Sequence, residues 1–101
     1  MKSWKIELTQ EALDDLEKLD GRQKRAVLKQ LVKLERNPEY GKPLGRKAGL
    51  DLSGFYKLYA DKKKIRIVYT VKGERIKIIA IDKREALEVY KLAAKRIKSL
   101  H

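Results

Sequence analysis

The stretch from residue 53 to residue 82, SGFYKLYADKKKIRIVYTVKGERIKIIAID, constrains the fold more than any other part of the chain. It holds three runs rich in Ile, Val, Tyr and Phe, parted only by ADKKK and VKGE. Runs of this composition read as strands, and breaks this short leave room only for reversals, with Gly73 suited to the second. Strands are expected at roughly 53–60, 64–71 and 75–82, paired as an antiparallel meander.

Opposed residues in such a pair share a face, and faces alternate with period two. If the first turn closes on an even number of residues, Ala60 opposes Ile65, Tyr59 opposes Arg66 and Lys57 opposes Val68. One face then reads Tyr56, Leu58, Ala60, Ile65, Ile67, Tyr69, Val71, Ile76, Ile78 and Ala80, a full apolar surface. The other carries Phe55, Lys57, Tyr59, Arg66, Val68, Thr70, Arg75, Lys77, Ile79 and Ile81, and is expected to face water. On it Lys57 and Arg66 are diagonal neighbours. Like charges across strands destabilise by about 0.2–1 kcal/mol, so the pair has a candidate use; the alternative is that both side chains snorkel into solvent.

The apolar face needs a cover, and the first part of the chain supplies it. WKIEL alternates as a short strand, and Thr9 can cap a helix with Ala12, Leu13, Leu16 and Leu19 on one side. Gly21 ends that helix. A second runs from about Arg22 to Arg36, with Val27, Leu28, Leu31 and Leu34 inward. Residues 37–54, with both prolines and four of the six glycines, read as one long loop. Asp82, with Glu85 three residues on, resembles a capping box opening a last helix from about Lys83 to Ser99. That helix has an apolar stripe of Ala86, Val89, Ala93, Ile97 and Leu100. The expected class is α+β, a single domain over 1–101 in the order β-α-α-β-β-β-α.

Charge narrows the function. Lys and Arg number 26 against 14 acids, a net charge of +12. The excess is concentrated: residues 22–47 hold nine basic and two acidic side chains, and residues 57–77 hold eight and two. A field of this sign attracts polyanions, which points to nucleic acid, an acidic protein, or both. There is no cysteine, so disulfides and thiolate chemistry are out. The acids concentrate on the first helix, away from the strands, which leaves a magnesium nuclease without ligands. No apolar run suits a signal peptide or a membrane span, so a cytoplasmic protein with no membrane contact is expected.

The segments FYKLYADKKKIRIVYTV and IAIDKREALEVYKLAAKRI, with the two helices before them, resemble the RelE/ParE superfamily of type II toxin–antitoxin toxins. The likeness covers nearly the whole chain and is strongest from Leu44 to Ile97. It implies a small RelE-like domain with a cognate antitoxin as partner. In the RelE branch it implies an endoribonuclease that cuts messenger RNA in the ribosomal A site, against the 16S ribosomal RNA, without metal or cofactor. By the same resemblance Lys57, Arg66, Arg84 and Tyr90 match the branch's catalytic positions. The sequence departs at Tyr59, where the RelE pattern has a second lysine, and Lys62, Lys63 and Lys64 in the turn are candidates to supply that charge. With Tyr59, Lys77 and Lys83 these make the expected RNA-contacting set.

Cleavage by the 2′-hydroxyl needs a base, stabilisation of the phosphorane and a proton for the leaving oxygen. The one histidine, His101, is a tail residue, so histidine catalysis is not expected. The resemblance implies Lys57 as base, its charge disfavoured by Arg66, Arg66 on the developing phosphate charge, Arg84 near the leaving group, and Tyr90 orienting the 2′-hydroxyl or stacking. Plainer readings stand beside these: Arg84 pairing with Glu88 at i,i+4, Tyr90 as a core aromatic, and Tyr59 packing on Phe55 or holding an unstacked base. Two other functions stay open, a ParE-like inhibitor of DNA gyrase and an RNA-binding module that has lost catalysis.

Overall fold

The computed structural model describes residues 3–47, 49–83 and 85–99, so Arg84, Leu100 and His101 lie outside the described residues. The chain opens with β1 (Lys5–Leu8), α1 (Gln10–Glu17) and α2 (Gly21–Arg36). Thr9 caps α1, its hydroxyl accepting from Ala12 N at 3.1 Å. Helix α1 ends at Glu17 with Lys18 as its C-cap, before Gly21; Asp20 and Gln23 cap α2 reciprocally, so Gly21 is the first residue of the second helix and not the break of the first. Four strands follow, β2 (Lys42–Lys47), β3 (Leu50–Ala60), β4 (Ile65–Lys72) and β5 (Arg75–Asp82), and then α3 (Ala86–Ser99).

The expected α+β class holds, with one strand more than the sequence suggests. Strand β2 lies inside the supposed 37–54 loop, antiparallel to β3 with Lys42 opposite Lys57 and Pro43 opposite Tyr56. It is the outermost strand in the order β1-β5-β4-β3-β2, and an edge tolerates a proline because one row of N–H groups has no partner to serve. Its irregularity between Pro43 and Gly45, with Gly45 at φ 58°, is what disguises it as loop. At the opposite edge β1 runs parallel to β5, Lys5 beside Arg75 and Leu8 beside Ile78, so the sheet is mixed around an antiparallel meander. Asp82 does not cap α3: it ends β5 opposite Arg66, and the helix starts at Ala86.

The β3–β4 register is the expected one, with Ala60 on Ile65, Tyr59 on Arg66 and Lys57 on Val68. Helices α1 and α2 bury the predicted apolar face: Ala12, Leu16, Val27, Leu31 and Leu34 pack on Leu58, Ile65, Ile67, Tyr69, Ile76 and Ile78. Ala80 and Ile81 exchange sides relative to strict alternation. A register shift between Val68 and Tyr69 on β4 inserts an extra residue of β5, which puts Ala80 on the far face and returns Ile81 to the α1–α2 core.

The far face is not open to water as expected. Helix α3 lays Val89, Tyr90 and Ala93 on Val68, Ile79 and Ala80, with Leu44 and Leu52 from β2 and β3, in a second core. This gives the apolar stripe of α3 its partner. The end of the face toward the 61–64 turn lies outside this core, and Lys57, Tyr59 and Arg66 stand there half-buried. No helix among the described residues is long and apolar enough to cross a membrane.

Candidate active site

Adjacent strands build the site. Tyr59 on β3 faces Arg66 on β4, and Lys57 is the next residue of β3 on the same face. Lys57 Nζ donates to the Tyr59 hydroxyl at 3.3 Å and lies 5.4 Å from the centre of its ring. The Arg66 guanidinium carbon is 5.6 Å from the same centre, and Lys63 Nζ, reaching back from the turn, is 5.8 Å from it. Three cations thus surround one phenol. The hydrogen bond from Lys57 draws the Tyr59 hydroxyl below the usual phenol range; burial opposes this, and the charges of Lys57 and Arg66 add to the lowering.

The turn that delivers Lys63 is held from outside. Asp61, Lys62 and Lys63 all have positive φ, 51°, 54° and 70°, a left-handed run unusual for residues other than glycine. Arg22, at the start of α2, grips the Asp61 carboxylate with both terminal nitrogens at 2.6 and 3.1 Å. That hydrogen bonding keeps Asp61 below the usual carboxylate range and ties the lysine-bearing turn to the helix.

A cleft of about 320 Å³ opens beside the cluster, lined by Gln30, Tyr40, Gly41, Lys42, Lys57, Leu58, Tyr59 and Lys63. Tyr40 there has Lys33 Nζ 5.5 Å from its ring centre. Tyr40 and Lys42 are lining residues that sequence reasoning missed; the signal was an aromatic two residues before a lysine in EYGKP, hidden because the segment read as loop. Gly41 is required where it is. A Cβ there would sit 2.5 Å from both the Lys57 carbonyl oxygen and the Tyr69 hydroxyl.

The other expected residues are spread out. Lys62 and Lys64 are exposed on the turn. Lys77 lies opposite Thr70, which pairs with Phe55, four residues along β3 from Tyr59, or ~13 Å along the strands. Lys83 is exposed and lines another hollow with Asp15, Lys18 and Arg96. Tyr90 is 5% exposed, its ring inside the second core. Among the described residues no group of three or more His, Cys, Asp or Glu side chains is arranged to hold a metal ion.

Comparison with known proteins bears on what this arrangement belongs to. The free form of an Escherichia coli RelE toxin carrying two arginine substitutions is 28% identical, with a TM-score of 0.74, covering 94% of this chain and 98% of its own. A chain of the toxin–antitoxin complex RelBE2 from Mycobacterium tuberculosis is 29% identical, with a TM-score of 0.68, covering 81% of this chain and 99% of its own. A chromosomal ParDE system from P. aeruginosa shares the fold at 20% identity and a TM-score of 0.63, covering 84% of this chain and all of its own. No curated protein matches the chain. The model of the ParE toxins of type II toxin–antitoxin systems matches residues 6–87, and the chain belongs to that family, within the RelE/ParE superfamily of toxins.

Proposed function

We propose that this toxin is a metal-independent endoribonuclease that acts on the ribosome, cutting messenger RNA in the A site by attack of a 2′-hydroxyl and so stopping translation. The observation that carries the reading is the packing of Lys57, Lys63 and Arg66 around Tyr59 at an end of the sheet outside the second core. A phosphodiester passing to its phosphorane gains negative charge, and fixed cations stabilise that change most where water is partly excluded. Arg66, with its planar fork, suits the phosphorane oxygens, and Lys57 is one residue pair away on the same face. Lys62 and Lys64 would hold the RNA backbone beyond the scissile bond. Lys77 and Lys83 are proposed to contact RNA or ribosome outside the cleavage centre. Arg84 is proposed for the leaving group on the family resemblance. Tyr90 would act only through the small part of its surface that the second core leaves uncovered.

A cognate antitoxin is the proposed protein partner, in keeping with the complexes formed by the similar toxins. A net charge of +12 favours an acidic segment that covers the Lys57–Arg66 face when the toxin is silent.

A second reading, inhibition of DNA gyrase, is favoured by the match to the ParE toxin family over residues 6–87. Induction of the toxin without antitoxin separates the two. Immediate arrest of translation with cuts mapped to A-site codons supports the endoribonuclease, whereas filamentation with the SOS response and intact messages supports gyrase.

A further inference from the structure

The geometry points to Tyr59 as the group that takes the proton from the attacking 2′-hydroxyl. The inference rests on the endoribonuclease reading above. The cluster is rich in donors and poor in acceptors. Lys57, Lys63 and Arg66 carry no free lone pair while charged, and Lys57 Nζ already directs a proton at the Tyr59 oxygen, 3.3 Å away. Asp61 in the turn is gripped by Arg22. Asp82 lies across β4, opposite Arg66. The Tyr59 oxygen accepts from Lys57 and belongs to the ring that the three cations surround.

The charged groups facing the ring favour its ionised form. Lys57 comes from β3, Lys63 from the turn and Arg66 from β4; Lys42 on β2 stands opposite Lys57, and Asp82 on β5 is the one acid in register with Arg66. The lowered ionisation range of Tyr59 agrees with this arrangement. A general base works best when its ionisation lies near the working pH, and a free phenol lies too high. The position where the family pattern has a second lysine is therefore filled by a base that the neighbouring cations prepare.

The step balances without a co-reactant. The Tyr59 phenolate oxygen takes the 2′-hydroxyl proton, and the 2′-oxygen bonds to phosphorus. The bond from phosphorus to O5′ breaks, and O5′ leaves with the electron pair and takes a proton from water. The products are a 2′,3′-cyclic phosphate and a 5′-hydroxyl, and Tyr59 returns its proton to solvent.

The experiment is single-turnover cleavage of a ribosome-bound message as a function of pH. It compares wild type, Tyr59→Phe, Asp82→Asn, and a protein with 3-fluorotyrosine at position 59, whose phenol is more acidic at nearly the same shape. Tyr59→Phe should lower the rate by about 10²-fold or more and remove the rise of rate with pH. The fluorinated protein should keep its activity and move that rise to lower pH. Asp82→Asn should keep the rise in place. Antitoxin binding and thermal melting of each variant check the fold. If wild type cuts and the rise stays put in the fluorinated protein, or moves only with Asp82→Asn, Tyr59 is not the base while the endoribonuclease reading stands. If wild type cuts no ribosome-bound message, that reading itself falls, and the assignment of Tyr59 with it.

Discussion

Asp15 on α1 and Arg96 on α3 form a two-pronged ion pair, Arg96 donating to Oδ2 at 2.6 Å and to Oδ1 at 3.0 Å. The two helices cover opposite faces of the sheet, and this pair joins them around its margin. Both side chains are nearly buried, 7% and 12% exposed. Their remaining hydrogen bonds go to the last turns of β5: Ile81 N donates to Asp15 at 3.0 Å, and Arg96 donates to the Ile79 carbonyl at 3.0 Å. The bulged end of β5, where strict alternation fails, is thus pinned by charge.

Removing one partner of such a pair leaves the other buried and uncompensated. Arg96→Met is expected to lower stability by about 3–5 kcal/mol, and joining it with Asp15→Asn should recover part of that loss. Urea unfolding of the single and double variants measures both. An Arg96→Met loss below 1 kcal/mol would mean that α3 is held by its apolar stripe alone.

The close approach of Gly41 to β3 gives a second prediction. Tyr69 donates to the Pro38 carbonyl at 2.8 Å and accepts from Gly41 N at 2.9 Å, and its ring stacks on Tyr56 at 5.3 Å between centres. Tyr69→Phe leaves both backbone groups without this partner and should cost about 1–3 kcal/mol. Gly41→Ala drives a methyl group into Lys57 O and the Tyr69 hydroxyl, with a comparable penalty of about 1–3 kcal/mol. Because it also displaces the Lys57 backbone, it should weaken toxicity at a temperature where Tyr69→Phe remains folded and active. Growth arrest compared with melting temperature for the two variants checks this.

The cation cluster predicts a graded loss of activity. Arg66→Ala should slow message cleavage by about 10²–10³-fold, the usual effect of deleting one preorganised donor to a developing anion. Lys57→Ala should also slow it, since it removes both a phosphate-facing charge and the hydrogen bond to Tyr59. Lys77→Ala, ~13 Å along the strands, should weaken RNA binding at elevated salt and leave the cleavage step itself unchanged. Primer extension on a translated message, with single-turnover rates, separates these effects.

Much of this arrangement was legible before any coordinates. The β3–β4 pairing followed from residue alternation and a short turn, so Lys57, Tyr59 and Arg66 could be set on one face from residue order. Three features could not be read. Pro43 and Gly45 made β2 look like loop, which concealed Tyr40 and Lys42 at the cleft. The extra residue of β5 exchanged Ala80 and Ile81, since period two carries no information on where a bulge falls. The far face reads as solvated because of Lys57, Arg66 and Lys77, although Val68 and Ile79 on it, with the α3 stripe, point to a second core. The crowding of three cations on one ring depends on how long side chains fold over Tyr59, which sequence spacing does not specify.

Tyr59 and Tyr69 share the sheet on opposite faces and should ionise on opposite sides of the ordinary phenol range. Burial pushes the Tyr69 hydroxyl up, with the Gly41 N–H acting against it, whereas the Lys57 hydrogen bond and the nearby charges draw Tyr59 down. An ultraviolet titration of tyrosinate should show an early component that disappears in Tyr59→Phe and a late one that disappears in Tyr69→Phe. The effects on stability have opposite signs. Below its folded ionisation point Tyr59 is protonated in both states and contributes nothing. Between that point and the unfolded value of about 10 the unfolded chain holds the extra proton, so this tyrosine adds stability as pH rises. Tyr69 stays protonated in the folded state above the unfolded value, so from about pH 10 upward it removes stability instead. Relative to wild type, Tyr59→Phe should lose stability progressively as pH climbs toward 10, and Tyr69→Phe should recover part of its deficit above it. Urea unfolding across this pH range tests both slopes, and a wild-type early component that survives in Tyr59→Phe would mean that the cations do not act on this phenol.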